Sequence, residues 1–323
     1  MFGGILNRRE NETDQQQIAQ YEIPSIDLVI VDLYPFEETV ASGADESAII
    51  EKIDIGGISL IRAAAKNYKD VVIVASKAQY APLLSLLKEK GANTSLEDRR
   101  WFAKEAFAVS SGYDSAIFNY FDGGEGSAFR YSANNQKTLR YGENPHQSAK
   151  FYREEHEVPY SLAFARQLHG KELSYNNIQD ANAALCIVRE FDRPFCVGLK
   201  HMNPCGAAVG KDVVEAWTKA YEADKVSIFG GIVATNCTVT REVAELMKPI
   251  FLEIIMAPKF DEGALEVLCT KKNLRLLEVN MTKGAVDQKQ YVSVNGGLLV
   301  QDLDIATKPV TEDMCVTKVK PAP

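Results

Sequence analysis

The sequence predicts an α/β protein, because apolar runs of strand length alternate with segments that have the composition of helices. Two of these runs, residues 26–33 (IDLVIVDL) and 70–76 (DVVIVAS), are continuous and rich in β-branched residues, as strands buried on both faces are. Between them, residues 59–66 are rich in helix formers. This alternation predicts a parallel sheet.

The remainder of the first block is helical. Residues 80–90 are predicted to form a helix that Gly91 ends. Thr94 and Glu97 have the spacing of a capping box, which predicts the start of a long helix that runs to about Phe121.

A glycine-rich segment, residues 122–128 (DGGEGSA), is the best candidate for a linker. We therefore expect one domain over 1–125 and a second over 126–323. The second block alternates in the same way as the first. It predicts helices at 179–190, 213–222, 241–247 and 261–269, and strands at 195–199, 227–234, 253–257, 274–279 and 291–300.

Composition excludes several classes of function. The chain has 323 residues, of which 46% are hydrophobic, enough for about two domains with cores. A net charge of -8 argues against a nucleic-acid-binding protein. The sequence has no apolar run of about 18 residues, so no membrane span is predicted. The N-terminus does not have the pattern of a signal peptide. The six cysteines show no CxxC spacing, which is typical of a cytoplasmic protein without disulfides.

The first candidate site begins at Asp54. Gly56 and Gly57 precede a helix, where glycine allows backbone N–H groups to approach an oxyanion. Arg62 and Lys66 lie four residues apart and hence on one helical face. The alternative is an ordinary turn followed by a solvated basic stripe.

Two further segments combine charged and aromatic residues in loops. In 139–147 (LRYGENPHQ), Arg140 offers a guanidinium that suits phosphate, and Tyr141 offers an aromatic ring. In 199–206 (LKHMNPCG), Lys200 and His201 follow a buried strand. Ligands of open α/β sheets lie beyond the carboxyl ends of strands, so this pair suggests proton transfer on an anionic substrate. Either segment could instead be ordinary surface.

Glu253 lies within the predicted strand LEIIMAP, flanked by apolar residues. Packing alone seldom places a carboxylate there. It is either a functional group or a charge that protects a sheet edge from aggregation.

Together these segments resemble one family, the bifunctional enzyme of late purine biosynthesis that joins aminoimidazole-carboxamide ribonucleotide (AICAR) transformylase to inosinate (IMP) cyclohydrolase. The resemblance covers residues 3 to about 300. It rests on six segments that occur in the family's order: DLYPFEETV, IDIGGISLIRAAAKN, LRYGENPHQSA, LHGKELSYNN, LKHMNPCGAAVG and SIFGGIVATN.

The resemblance implies a fold and two reactions. The first domain would be similar to methylglyoxal synthase, and the second to cytidine deaminase. The transformylase would move a formyl group from 10-formyltetrahydrofolate to AICAR, and the cyclohydrolase would close the formylated product (FAICAR) to IMP. No zinc is expected, because Pro204-Cys205 lacks the rest of the zinc-deaminase signature. Members of the family act as homodimers, so we expect self-association.

The resemblance also implies roles for individual residues. His201 would be the general base of formyl transfer, with Lys200 stabilising the developing negative charge. Substrate-binding residues in the second domain would be Arg140, Tyr141, Asn203 and Glu253. In the first domain, the backbone of Gly56 and Gly57 would bind substrate. Tyr34, Asp54 and Lys66 would serve ring closure.

The match is incomplete at both ends. Relatives enter the Gly-Gly-Ile-Leu found here at 3–6 from a Lys-Thr-Leu-His-Pro segment, and they continue beyond residue 323 into a second deaminase-like fold. We therefore expect a truncated chain with little or no activity. The alternatives are a purine-ribonucleotide-binding protein without catalysis, a methylglyoxal-synthase-like module and, by reaction type, a zinc-dependent deaminase.

Overall fold

The computed structural model describes residues 1–154, 158, 160–282, 289–304 and 311–319. The chain divides into two compact units, one comprising residues 1–135 with a short piece that starts at Tyr152, and one comprising the rest from Gln136 on. Both contain helices and strands, and the predicted α/β class is confirmed as a mixed fold with parallel and antiparallel pairs. Among the described residues, no helix is long and apolar enough to cross a membrane.

The first unit is mostly helical around a parallel pair of short strands, β1 and β2. Its elements are α1 (Phe2–Leu6), α2 (Glu12–Gln20), β1 (Leu28–Ile30), α3 (Phe36–Ala41), α4 (Glu46–Ile50), α5 (Gly56–Lys66), β2 (Val72–Val74), α6 (Tyr80–Lys90) and α7 (Leu96–Asp122).

The expectation that both strands are buried on both faces is confirmed for β2 and wrong for β1. Every residue of β2 is buried. In β1, Val29 packs into the core with Ile61 and Ile73, but Leu28 and Ile30 are 37% and 48% exposed. The strand spans three residues, so it buries a single side chain on the one face that packs against the core.

Helix α6 has the predicted bounds, and Gly91 follows it with a φ of 64°. The capping box of α7 lies one residue later than predicted. Ser95 accepts from the Asp98 N–H at 3.1 Å, and Asp98 accepts from the Ser95 N–H at 2.8 Å. Aspartate serves here in the place of the glutamate that the usual pattern requires, which is why the prediction chose Thr94 and Glu97.

The second unit contains a six-stranded sheet in the order β5-β10-β9-β8-β6-β7. Helices α9, α10 and α11 contribute to the core on one face, and α8 to the core on the other. Strand β3 (Asn134–Leu139) begins in the first unit, and strand β4 (Ala149–Arg153) ends in it. The elements that belong wholly to the second unit are β5 (Arg166–His169), α8 (Tyr175–Val188), β6 (Phe195–Lys200), β7 (Asn203–Val209), α9 (Val213–Ala223), β8 (Ile232–Thr235), α10 (Arg241–Met247), β9 (Ile254–Ala257), α11 (Glu262–Leu268), β10 (Arg275–Glu278), β11 (Lys289–Val294) and β12 (Gly297–Asp302).

The prediction of a parallel sheet is confirmed for β1 and β2 in the first unit, whereas in the six-stranded sheet it holds for β8, β9 and β10 only. Strand β6 runs antiparallel to β8 and forms a hairpin with β7, and β5 is antiparallel to β10. A connection of two residues can join antiparallel strands but cannot make a parallel crossover. The segment after β6 is therefore a strand, not the extended loop that Pro204 and Gly206 suggested.

The predicted strand at 291–300 is in fact the hairpin of β11 and β12. Asn295 and Gly296 form its turn, and Gly296 has a φ of 79°. An Asn-Gly pair between apolar runs is a strong hairpin signal, and the sequence reading overlooked it.

Candidate active site

A cavity of about 570 Å³ lies in the second unit, a size that suits a small-molecule ligand. Arg140, Tyr141 and Glu253, three of the predicted binding residues, line it together. The other lining residues are Thr138, Leu139, Lys171, Glu172, Leu173, Ser174, Asn177, Phe251, Leu252, Asn273 and Arg275.

The cavity lies where the parallel strands β9 and β10 begin. Lys200, in contrast, is the last residue of β6 and lies at the carboxyl end of its strand, as the sequence predicts. Glu253 directly precedes β9, and Arg275 is the first residue of β10. Because β6 is antiparallel to β8, its last residues pair with the first residues of β8. The end of β6, with Lys200, therefore lies at the same edge of the sheet.

Arg140 and Tyr141 follow β3, whose last residue Leu139 is buried. The Arg140 guanidinium lies 5.6 Å from the centroid of the Tyr141 ring. The loop that follows is closed by a hydrogen bond of 2.7 Å from the Gly142 N–H to the Gln147 carbonyl. An exposed arginine held over an aromatic ring at the mouth of a cavity can receive a phosphate through two N–H groups.

Glu253 lies outside the strand in which the sequence reading placed it, one residue before β9. Its Oε2 accepts a hydrogen bond of 2.6 Å from Nη1 of Arg275. The Arg275 side chain is 10% exposed and that of Glu253 34% exposed, so the pair is screened from water mainly on the arginine side.

Arg275 lines the cavity and was not among the residues predicted from the sequence. Its Nε also donates to the Glu172 carbonyl at 3.1 Å, which connects the pair to the segment before α8. There, Ser174 and Asn177 form a capping box at the wall of the cavity. The sequence does contain a signal for Arg275, which is a charged residue within the apolar run LRLL, just as Glu253 is a charged residue within LEIIMAP.

Lys200 does not line the cavity but lies beside a segment that contacts it. Its Nζ donates to the Phe229 carbonyl at 3.0 Å. The ring of Phe229 lies 5.3 Å from that of the cavity residue Phe251, and the Gly230 N–H donates to the Phe251 carbonyl at 2.8 Å. The lysine thus carries a positive charge close to the cavity.

His201 and Met202 form the two-residue turn of the β6–β7 hairpin. Their φ values are 53° and 60°, so both have left-handed backbones, as a type I′ turn requires. His201 is exposed. The Asn203 side chain, predicted to bind substrate, instead donates from Nδ2 to the His201 carbonyl at 2.7 Å.

The first unit holds the other candidates. Asp54 is buried, and its Oδ1 accepts from the Gly57 N–H at 2.5 Å. That N–H, which we expected to face an oxyanion, therefore has an internal partner. The Asp54 N–H donates to the hydroxyl of Tyr113, which in turn donates to the Lys52 carbonyl. Burial raises the pKa of Tyr113, and the nearby Asp54 charge raises it further.

Gly56, Lys66 and Tyr34 are more open. Gly56 begins α5 and is exposed, whereas Lys66 is its last residue and is also exposed. An 11-residue helix is about 16 Å long, so the backbones of Lys66 and Asp54 lie far apart. Residue Tyr34 is 56% exposed, and Nζ of Lys52 lies 5.7 Å from the centroid of its ring.

Among the described residues, no three His, Cys, Asp or Glu side chains are grouped so that they could hold a metal ion.

Comparison with known proteins gives a consistent picture. A family model described as "AICARFT/IMPCHase bienzyme" matches residues 64–323. The bifunctional purine biosynthesis protein PurH of Bacteroides thetaiotaomicron is 58% identical over 323 residues, which is 100% of this chain and 62% of that protein. PurH of Bacillus subtilis is 48% identical over 326 residues, 99% of this chain and 64% of that protein. The chain thus spans less than two thirds of the length of these relatives.

Proposed function

The chain belongs to the AICARFT/IMPCHase bienzyme family, and we propose that its second unit binds AICAR and presents it for formyl transfer. The observation that supports this most is the cavity that Arg140, Tyr141 and Glu253 share. These residues come from segments more than 100 positions apart in the sequence, and the fold brings them to one edge of a sheet.

The proposed ligand matches the cavity in charge and shape. A ribonucleotide has an anionic phosphate, for which Arg140 offers a guanidinium, and a planar base, for which Tyr141 offers an aromatic face. Glu253, fixed by Arg275, can accept hydrogen bonds from the ribose hydroxyls or from the amino groups of the base. Phosphate, sugar and base would each have a partner.

In the proposed reaction, the 5-amino nitrogen of AICAR attacks the formyl carbon of 10-formyltetrahydrofolate, the cosubstrate. A C–N bond forms, and the bond from the formyl carbon to N10 of the folate breaks. His201 accepts the proton that the amine loses and returns it to N10 as the folate leaves. Lys200, a fixed cation, stabilises the negative charge that develops on the formyl oxygen.

For the first unit we propose ring closure of FAICAR to IMP. The carboxamide nitrogen attacks the formyl carbon, and water is lost. Tyr34 and Lys66 have exposed polar ends that can relay a proton and stabilise an oxyanion. Asp54 is buried and hydrogen-bonded to Gly57, so we assign it to holding the start of α5 near the substrate. The exposed Gly56 is then the residue whose backbone can contact the substrate.

The proposal includes a homodimer in the cytoplasm as the working form. Light scattering behind size exclusion tests the first point, with a mass twice that of the 35.7 kDa chain expected. A monomer at all accessible concentrations would argue against self-association of this chain.

The experiment that tests the function combines calorimetric titration with AICAR and an assay of formyl transfer. We expect binding by the chain, and we expect loss of binding in Arg140→Ala but not in His201→Ala. Transfer by the chain, run alongside a full-length relative, then tests the expected low activity. Binding without any transfer would favour the non-catalytic alternative, and no binding would refute the proposal.

A further inference from the structure

The turn that carries His201 uses residues that are unfavourable for it. Type I′ turns need positive φ at both central positions, and Asn-Gly meets that need easily. Here the positions are occupied by His201 and Met202. Non-glycine residues seldom adopt this conformation, and when they do the surroundings must hold them there.

The surroundings hold the single peptide group between the two residues from both sides. Its carbonyl, that of His201, accepts from Nδ2 of Asn203 at 2.7 Å. Its N–H, that of Met202, donates to Oδ1 of Asp180 at 2.8 Å. The strand ladder pairs Lys200 with Asn203 and does not use this central peptide.

Asp180 comes from a rigid element. It lies in the second turn of α8, next to Ala181, which is fully buried in the core beneath the sheet. A carboxylate on this helix therefore fixes a backbone group of the turn relative to the sheet. The nearest competing conformation, a type II′ turn, has a flipped central peptide and would break both bonds.

We propose that Asp180 is a positioning residue for His201, acting through the Met202 amide. With Asn203 it forms a clamp, the Asp180–Asn203 clamp, that selects the left-handed turn and so sets where the imidazole lies. The proposal rests on the proposed role of His201 in formyl transfer. It also reassigns Asn203, predicted from the sequence to contact substrate, to the support of the turn.

Hydrogen exchange tests the clamp independently of catalysis. Asp180→Ala removes the acceptor, so exchange of the Met202 amide, followed by NMR or by peptide-resolved mass spectrometry, should accelerate at least tenfold. Asp180→Asn keeps a carbonyl acceptor and should stay within threefold of the wild type. The control is Asp192→Ala, an exposed carboxylate in the turn after α8. Unchanged exchange in Asp180→Ala would overturn the proposal.

A rescue experiment separates positioning from contact with substrate. Met202→Gly adopts positive φ without strain, so it should recover most of the transfer rate that Asp180→Ala loses. We expect Asp180→Ala to lower kcat about tenfold with KM for AICAR within twofold, and the double variant to come within threefold of Met202→Gly alone. A loss that glycine does not rescue would overturn positioning. If transfer by the wild-type chain is too slow to measure, the exchange result alone decides the clamp, whereas a chain that does not bind AICAR would refute the proposed function and leave the exchange result standing.

Discussion

The Arg275–Glu253 pair should be a main source of stability at the cavity, and replacing Arg275 by methionine measures it. The substitution removes a charge-assisted hydrogen bond of 2.6 Å, worth about 1.5–3 kcal/mol, and a bond from Nε to the Glu172 carbonyl, worth about 1 kcal/mol. The Glu253 side chain is 34% exposed, so water recovers part of the loss. We expect the free energy of unfolding to fall by about 2–3 kcal/mol.

The assay is urea unfolding followed by tryptophan fluorescence. The chain has 2 tryptophans, of which Trp217 is buried in the second unit and Trp101 lies in α7 of the first. In a Trp101→Phe background the signal reports on the second unit alone. The matched control is Arg166→Met, which breaks the pair with Glu278 at the other end of β10. The Arg166 side chain is 70% exposed there, so the loss should stay below about 1 kcal/mol.

A double-mutant cycle gives the decisive number. Glu253→Gln in the Arg275→Met background removes the carboxylate that has lost its partner. The losses in free energy of unfolding of the two single variants should therefore not add, and the coupling energy should be about 1.5–2 kcal/mol. A coupling below about 0.5 kcal/mol, or a loss in Arg275→Met no larger than in the control, would refute the reasoning.

Three further predictions concern the first unit. A Cβ on Gly57 would lie 2.7 Å from Oδ2 of Asp54, so Gly57→Ala should lower the free energy of unfolding in urea by about 1–3 kcal/mol. Gly56 has open space around it, so Gly56→Ala should leave this free energy unchanged or raise it slightly. Tyr113→Phe leaves the Asp54 N–H and the Lys52 carbonyl without their hydroxyl partner. The free energy of unfolding, followed by Trp101 fluorescence, should fall by about 1–3 kcal/mol. A fall below about 0.5 kcal/mol would count against these hydrogen bonds. Backbone and side-chain hydrogen bonds from Ser95 lower the pKa of Asp98 from 3.8 to about 2, so its stabilisation is complete above about pH 4 and is lost as the pH falls towards 2. The stability difference between wild type and Asp98→Asn should therefore shrink over that interval, and a difference independent of pH would contradict the assignment.

The sequence predicted helices α8 to α11 because apolar periodicity is a local signal, but it did not predict strands β3, β4, β5 and β7. Helix α10 has the predicted bounds, and α9 extends one residue further than predicted. Strand direction was predicted poorly, because it depends on the length of a turn rather than on the strand itself. Two positive φ values at His201 and Met202 make a hairpin that no residue preference indicates.

The candidate site divides in the same way. Arg140, Tyr141 and Glu253 were singled out by their chemistry, and the structure brings them to one cavity. Asp180 could not be singled out, because a polar residue on a helix has no sequence signal for a backbone partner 22 positions away. Lys66 and Asp54 were grouped because they lie in one motif, but a helix of 11 residues separates them.

The central claim is that the cavity beside Arg140 binds AICAR, and calorimetric titration of the ribonucleotide into two arginine variants tests it most directly. Arg140→Ala removes the guanidinium at the cavity, while Arg130→Ala removes one in the first unit that lies 5.5 Å from the Phe118 ring centroid. The account predicts affinity at least tenfold weaker in Arg140→Ala and unchanged in Arg130→Ala. Equal affinity in both variants, or no heat of binding with the wild-type chain, would contradict it.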